Sequence, residues 1–375
     1  MAGLGALLGL GAVWAATWSV KPGQSLAEAL RQALDGDVIE IHAGAHHGQV
    51  GVITQRRLTI QGVGGRPVLF ADGQSAEDKA ILVLRNGEVL IDNIEFRGAR
   101  VADGNGAGIR FERGRLSVRN CAFFDNQNGI LTANFGDAEL SVFDSQFGQA
   151  PAGQHLPHLL YVGRIARFTL LGSRLTGGAQ GHLVKSRAAL NHVAYNQLVD
   201  GATGTAAYEL EFPNGGLAFV VGNVIGQSAG TSNLTVLSFG AEGPGPGVRE
   251  HGLFVAHNTF INDGLRPAWF VRVHADKLGP AVARVLQNNL MVGLGKTDAQ
   301  AADLDQGNHL LARGALQDAD AGLYGLAGAS SLRGRAVAPA RAGGERLLPL
   351  AQFSAPVGTR TLDKNRALSP GAVQD

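Results

Sequence analysis

A chain of 375 residues with 32 Lys and Arg against 31 Asp and Glu carries a formal net charge of +1, which gives no electrostatic footing for nucleic acid or an anionic membrane surface. The lone Cys121 excludes an internal disulfide and any cysteine-based metal site, and its strand-like context reads as core. An apolar share of 45% supports a real core, while 54 glycines and only 17% charged residues favour many short strands and turns.

The length suits two average domains or one elongated domain. Residues 1–15 form an apolar run too short to span a membrane. Its end, Val13-Trp14-Ala15, has the small-x-small pattern that a signal peptidase prefers, which predicts a signal peptide over 1–15. The run lacks a basic n-region, and a buried N-terminal helix is the competing reading. Export predicts a secreted or periplasmic bacterial protein that relies on its core for stability.

Ser25 and Glu28 make a capping-box pattern. Leu26, Ala29, Leu30, Ala33 and Leu34 then recur at helical spacing before Gly36, which predicts one short amphipathic helix. Residues 37–41 alternate as a strand, and from there almost every segment reads as strand and turn. Stacking the alternating runs brings out self-similarity among 88–93, 115–120, 139–144, 167–172, 217–223 and 252–258. The irregular period, roughly 24 to 35 residues, belongs to a solenoid. Units close on asparagine or a small polar residue, as at Asn120, Asn223 and Asn258. Asparagine tolerates the left-handed backbone of a sharp corner and can hydrogen-bond the next coil. A leucine-rich repeat would need a leucine consensus and helical halves, and a β-propeller would need blade motifs; the sequence has neither.

Three segments lengthen the coils: 99–108, 148–158 and the glycine- and proline-rich 240–250. Such loops either wall a groove or are neutral insertions. Past Lys296 the pattern fades, which predicts a β-helical body over 16–297 and a loose tail over 298–375 that covers the last coil.

Over residues 19–295 this pattern resembles the right-handed parallel β-helix, the pectate-lyase-like fold. The resemblance implies an all-β, right-handed single-stranded parallel β-helix with an N-terminal capping helix and an irregular C-terminal tail. An uncovered solenoid end exposes core and strand edges, so a cap is physically required.

Charge interrupts the bland repeat over 182–216. Lys185 and Arg187 sit two apart, and Glu209 and Glu211 sit two apart one repeat later, so strict alternation puts each pair on one face. Coil alignment sets 109–112, 158–162, 182–187, 208–212 and 269–274 on neighbouring rungs. Leu160, Val162, Val184, Leu210 and Phe212 then point inward, and Tyr161, Lys185, Arg187, Glu209 and Glu211 outward. Rungs lie about 4.8 Å apart, so Lys185 is expected beside Glu209 and Arg187 beside Glu211. Arg272 and His274 extend the row two rungs on, while Trp269 reads as core.

Eliminative cleavage of a uronate polymer needs a base, cations to stabilise an enolate-like intermediate and a donor to the leaving oxygen. Lys185, Arg187, Tyr161 and His182 can supply those roles. Residues 183–196 resemble the coil carrying the catalytic lysine of chondroitinase B and related alginate lyases, which implies Lys185 as base. Those enzymes have calcium-binding glutamates shortly before the lysine, where Gly178 and Gln180 stand here, and a catalytic arginine one coil later, where Glu209 and Glu211 stand. No cofactor is therefore expected, calcium being the one candidate.

Three other readings stay open. Glu209 and Glu211 suit a hydrolase's acid and base. Opposite charges on adjacent rungs also make a structural ladder, each exposed pair worth about 0–1 kcal/mol. Non-catalytic polysaccharide binding or exopolysaccharide assembly is the third. His158, His182, Asn214, Arg272 and His274 are the substrate-binding candidates, although Asn214 lies in what is most simply a turn and His155 and His158 border a loop. His42, His46 and His47 read as a surface turn rather than a metal site. The predicted function is an exported polysaccharide lyase, its partner a polysaccharide, with no nucleic acid and no membrane once the signal is removed.

Overall fold

A computed structural model describes residues 15–153, 155–248, 250–279, 281–298 and 302–374. The expected signal peptide, Ala15 apart, lies outside the described residues. Among those described, the strands build three long parallel sheets of 12, 11 and 10 strands, each coil giving one strand to each sheet in turn.

The repeats read from sequence are rungs of the 12-stranded sheet, consecutive except that Leu190–Ala194 comes between those at 167–172 and 217–223. Arg115 pairs in register with Glu88 on one side and Glu139 on the other, and Glu139 pairs with Arg167. Alternation sends Leu116, Val118, Leu140, Val142, Phe168 and Leu170 into the interior, where all are buried. The 11-stranded sheet adds a column of rings: Phe96 stacks on Phe123 at 5.0 Å between centroids, and Phe123 on Phe147 at 4.6 Å. Cys121 is buried in the same interior.

The corner between these two sheets divides between adjacent residues the two duties expected of one asparagine. The first residue takes the left-handed backbone, as at Asn93, Asn120, Asp144, Tyr195, His257 and Asn288, with glycine at 172 and 222. The next residue points inward and bonds to its equivalents on neighbouring coils. Its column runs Ser145, Ser173, Asn196, Asn223, Asn258, Asn289 and Asn308. In Asn223, Oδ1 accepts from the backbone N–H and the side-chain amide of Asn196, each at 2.9 Å. Its Nδ2 donates to Val193 O at 2.8 Å and to Asn258 Oδ1 at 3.0 Å.

At the start of the chain, helix α1 spans Leu26–Gln32 and lies against the strands Thr17–Val20 and Gly51–Ile53. Ser25 Oγ accepts from Glu28 N–H at 3.1 Å, but the Glu28 carboxylate turns to Arg31 and Gln32, so the capping box closes from one side only. A Cβ on Gly51 would lie 2.3 Å from Leu30 Cδ1, so a larger residue there would have to displace the Leu30 side chain. The helix stops before the predicted last turn, leaving Leu34 63% exposed.

Two expectations for the C-terminal part are corrected. The solenoid continues past 297: Gly295–Thr297, Leu304–Gln306 and His309–Leu311 add a rung to each sheet. The tail packs against Leu304 and Leu311 of that last coil but leaves its inner end open, since Leu310 pairs with the core residue Met291 and is nevertheless 63% exposed. The tail runs back along the outside. Leu347 packs on Phe219, Phe254 and Val285, while Leu316, Leu326 and Ala372 pack on Val224, Ile261, Leu290 and Val292. It reaches as far as Gly172, whose carbonyl accepts from Gly358 N–H at 2.7 Å. The physical reason lies in the outward apolar residues of the later coils, which the tail buries.

Replacing Asn223 by alanine would strand the buried Asn196 N–H and Val193 carbonyl, at about 1–3 kcal/mol for each unpaired group. Urea denaturation of Asn223→Ala is expected to show a loss of that size. Asn120→Gly, at a left-handed corner residue on the surface, is expected to change stability by less than about 1 kcal/mol.

Candidate functional site on the ten-stranded sheet

Strict alternation fails in the 10-stranded sheet, and the failure arranges its outer face. In its five-residue strands the second and third residues both point inward: Leu159 and Leu160, Leu183 and Val184, and Val236 and Leu237 are all core. The first and fourth residues therefore form two outward rows. The fourth-residue row runs Arg110, Leu131, Tyr161, Lys185, Glu211, Ser238 and Arg272 in continuous register. In the other row the ring of His158 is 4.7 Å from that of His182, which is 4.9 Å from that of Tyr208.

This register corrects the expected pairings. Lys185 sits opposite Glu211, not Glu209, with Nζ 3.4 Å from Oε2. Arg187 does not meet Glu211. Its Nε donates to the Tyr161 hydroxyl at 3.1 Å, and its Nη1 to Asn214 Oδ1 at 2.5 Å and to Glu242 Oε2 at 2.6 Å. Lys185 Nζ also donates to Glu242 Oε1 at 3.3 Å. His182 Nδ1 lies 3.2 Å from Glu211 Oε2, and neither atom has a hydrogen-bond partner. His158 Nδ1 accepts from the backbone N–H of His182 at 3.0 Å, and its ring meets Tyr161 edge-on at 5.1 Å. Tyr161, Lys185, Arg187, Glu211, His158, His182 and Asn214 thus come together, joined by Tyr208 and Glu242, which the sequence reading missed. The signal for Glu242 was its place in the long glycine- and proline-rich loop.

Burial sets the charge states. The side chains of Lys185 and Arg187 are each 14% exposed and that of Glu211 only 5%. Burial, with the nearby Lys185 and Arg187 charges, pushes the His158 imidazole down to about 3. Burial, His158 and the same cations hold His182 well below the usual histidine range, so both rings are neutral at ordinary pH. Burial raises the Glu211 carboxyl, with Lys185 opposing. Glu242 is lowered by its bonds to Arg187. Two neutral imidazoles, two cations, a phenol and two carboxylates in one half-covered cluster can bind an anionic group and move a proton.

The solved structures put this geometry in context. The pectate lyase Pel9A matches with a TM-score of 0.60 at 12% sequence identity, over 96% of this chain and 96% of that one. The PL6-family alginate lyase AlyGC matches with a TM-score of 0.51 at 17% identity, over 75% of this chain and 39% of its own. This chain has the pectate-lyase-like parallel β-helix fold. No family model and no curated protein sequence matches it.

Several candidates fall outside the cluster of this β-helix. Glu209, expected on the outer face, is the second residue of its strand and points into the core between the rungs of Leu183 and Val236. Both its oxygens are buried without a partner. Burial, reinforced by Asp200, holds its carboxyl well above the usual range. A Glu209/Glu211 acid–base pair is thereby excluded, since the two carboxyls face opposite sides of the sheet. Arg272 is exposed two rungs beyond Glu211, beside Trp269. Trp269 is half-buried rather than core, with Lys296 Nζ 4.2 Å from its ring centroid. No contact joins His274 to the cluster; it precedes a short helix, Ala275–Leu278, and burial lowers its pKa. His155 is exposed in its loop. His42 bonds to Ser19, His46 to the His42 carbonyl and His47 to Asp72. Among the described residues no three His, Cys, Asp or Glu side chains meet as a metal site.

A group whose folded pKa is raised costs nothing below its unfolded pKa and withdraws stability as pH rises above it. Glu209→Gln is therefore expected to match wild type near about pH 4 and to gain on it by about 1.4 kcal/mol per pH unit until the folded pKa is passed. Denaturation at a series of pH values checks this; a stability difference flat in pH would contradict it.

Proposed function

We propose that this β-helix protein cleaves a uronate-containing polysaccharide by β-elimination on the outer face of its 10-stranded sheet. The observation that carries the reading is the convergence of Lys185, Arg187 and the Tyr161 hydroxyl in one cluster, on a fold whose solved neighbours include a pectate lyase and an alginate lyase. Arg187 pairs with the carboxylate beside the reacting carbon and stabilises the charge that builds there. Lys185 first passes its ammonium proton to the Glu211 carboxylate 3.4 Å away; as the neutral amine it then takes the C5 proton, and the electron pair of the broken C5–H bond forms the C4–C5 double bond. The C4–O bond breaks, and the Tyr161 hydroxyl gives its proton to the departing oxygen. His158 and His182, kept neutral by burial, add no positive charge that would compete with Arg187 for the carboxylate. No metal is given a step. On this reading the protein works outside the cytoplasm, as the apolar run at 1–15 predicts.

The test is a panel of uronate and neutral polymers. Wild type is expected to release unsaturated, ultraviolet-absorbing ends from at least one uronate polymer, and Lys185→Ala to lose about 10²–10⁴-fold in kcat. Full activity in Lys185→Ala overturns the role of that residue. New reducing ends without absorbance indicate hydrolysis, and retention of polymer without shortening indicates binding alone.

A further inference from the structure

The two side chains that carry the proposed reaction, Arg187 and Lys185, are both already bonded to a carboxylate of the chain itself. Arg187 grips Glu242 with two prongs, Nη1 to Oε2 at 2.6 Å and Nη2 to Oε1 at 2.9 Å, while Lys185 Nζ reaches Oε1 at 3.3 Å. This is the fork-on-fork geometry by which guanidinium groups recognise free carboxylates. Tyr161 and Asn214 brace the guanidinium from its other donors. Arg187 and Lys185 belong to a rigid sheet and its edge and are each 14% exposed, whereas Glu242 is 44% exposed. Glu242 also rides on the long loop at 240–250, with left-handed glycines at 240, 243 and 247. Near Glu242 the loop is held to the body by backbone bonds from Gly240 to Phe212 at 2.8 Å, from Glu242 to Pro213 at 2.8 Å and from Gly245 to Asn214 at 3.4 Å, and by Asn214 Nδ2 to Gly243 O at 3.1 Å and Lys277 Nζ to Ala241 O at 2.7 Å, none of which fixes the Glu242 side chain.

Charge counting gives the arrangement a consequence. With Glu242 in place, one of the two positive charges is cancelled, and Glu211, so far as it is ionised, offsets the other. With Glu242 away, two cations face one buried carboxyl whose ionisation burial already disfavours. We propose that Arg187, Lys185, Tyr161 and Asn214 form a carboxylate subsite, that Glu242 fills it in the free protein, and that a uronate carboxylate of the polymer displaces Glu242 when it binds. The loop is then a tethered competitor that lowers apparent affinity by the fraction of time it is home. The inference rests on the proposed substrate class but not on the elimination chemistry.

The experiment measures binding of saturated trigalacturonate and trimannuronate, with maltotriose as the neutral control, by titration calorimetry. Wild type, Glu242→Gln and Glu242→Gln/Arg187→Ala are compared, with Glu242→Ala as a second loop variant and a thermal melt to check folding of each. At least one acidic trisaccharide is expected to bind Glu242→Gln and Glu242→Ala at least about 10-fold tighter than wild type. Maltotriose is expected to show no gain, and Arg187→Ala to abolish the gain for the acidic sugar. No gain for either acidic trisaccharide, no binding at all, or an equal gain for maltotriose overturns the subsite. Tighter acidic binding in a protein whose wild type cleaves no polymer supports the subsite and removes the lyase. Cleavage by wild type with unchanged binding in both loop variants removes the displacement and leaves the lyase.

Discussion

Every coil of this protein has to turn its corner in the register of the coil before it, and from the coil of Cys121 onward the inward polar column from Ser145 to Asn308 ties each corner to the next. Each amide on the column binds the backbone of one neighbour and the side chain of the next, so a slip of one residue would leave several buried polar groups unpaired at once. Within the stacked coils each repeat packs chiefly on its immediate neighbours, so a slip at one corner would be passed along the stack. Register propagated in this way carries the phenylalanine stack inside and the rows of functional side chains outside.

The same scaffold holds charged side chains in two quite different settings. On the 12-stranded sheet Glu88, Arg115, Glu139 and Arg167 alternate in sign along the surface, and Arg115 lies 3.9 Å from Glu139 with both well exposed. That is a solvated ladder, worth little per pair. Around Lys185 and Arg187 the charges are mostly buried, cross between strands and loops, and sit beside two neutral imidazoles and a phenol. Desolvating such groups is costly, a cost that the exposed ladder avoids, and the amide column already ties these same coils together. The contrast between these two arrangements is the main physical reason to treat one as solubility and the other as a site.

Sequence alone carried the repeats, the sheet they belong to, the position of α1 and the cluster of Tyr161, Lys185, Arg187 and Glu211. These rest on periodicities that hold over many coils. It did not carry the facing of Glu209, because alternation was assumed where the chain places two successive residues inward; the doublets Leu159-Leu160, Leu183-Val184 and Val236-Leu237 are the trace of that geometry in the sequence. Trp269 was misjudged for the same reason, as a first-row residue that faces out. Glu242 was out of reach, since a loop's path across a sheet depends on contacts between residues more than fifty positions apart. The tail's course along the outside depends likewise on apolar surface that no local pattern reveals.

The central claim is that the outer face of the 10-stranded sheet around Lys185 is where an acidic polysaccharide engages this β-helix. Hydrogen exchange with and without short oligouronides tests it most directly. The account predicts slowed exchange in the strands His158–Val162, His182–Ser186 and Tyr208–Phe212 and faster exchange in the loop around Glu242. Protection confined to another face, such as the outer surface of the 12-stranded sheet, would contradict it.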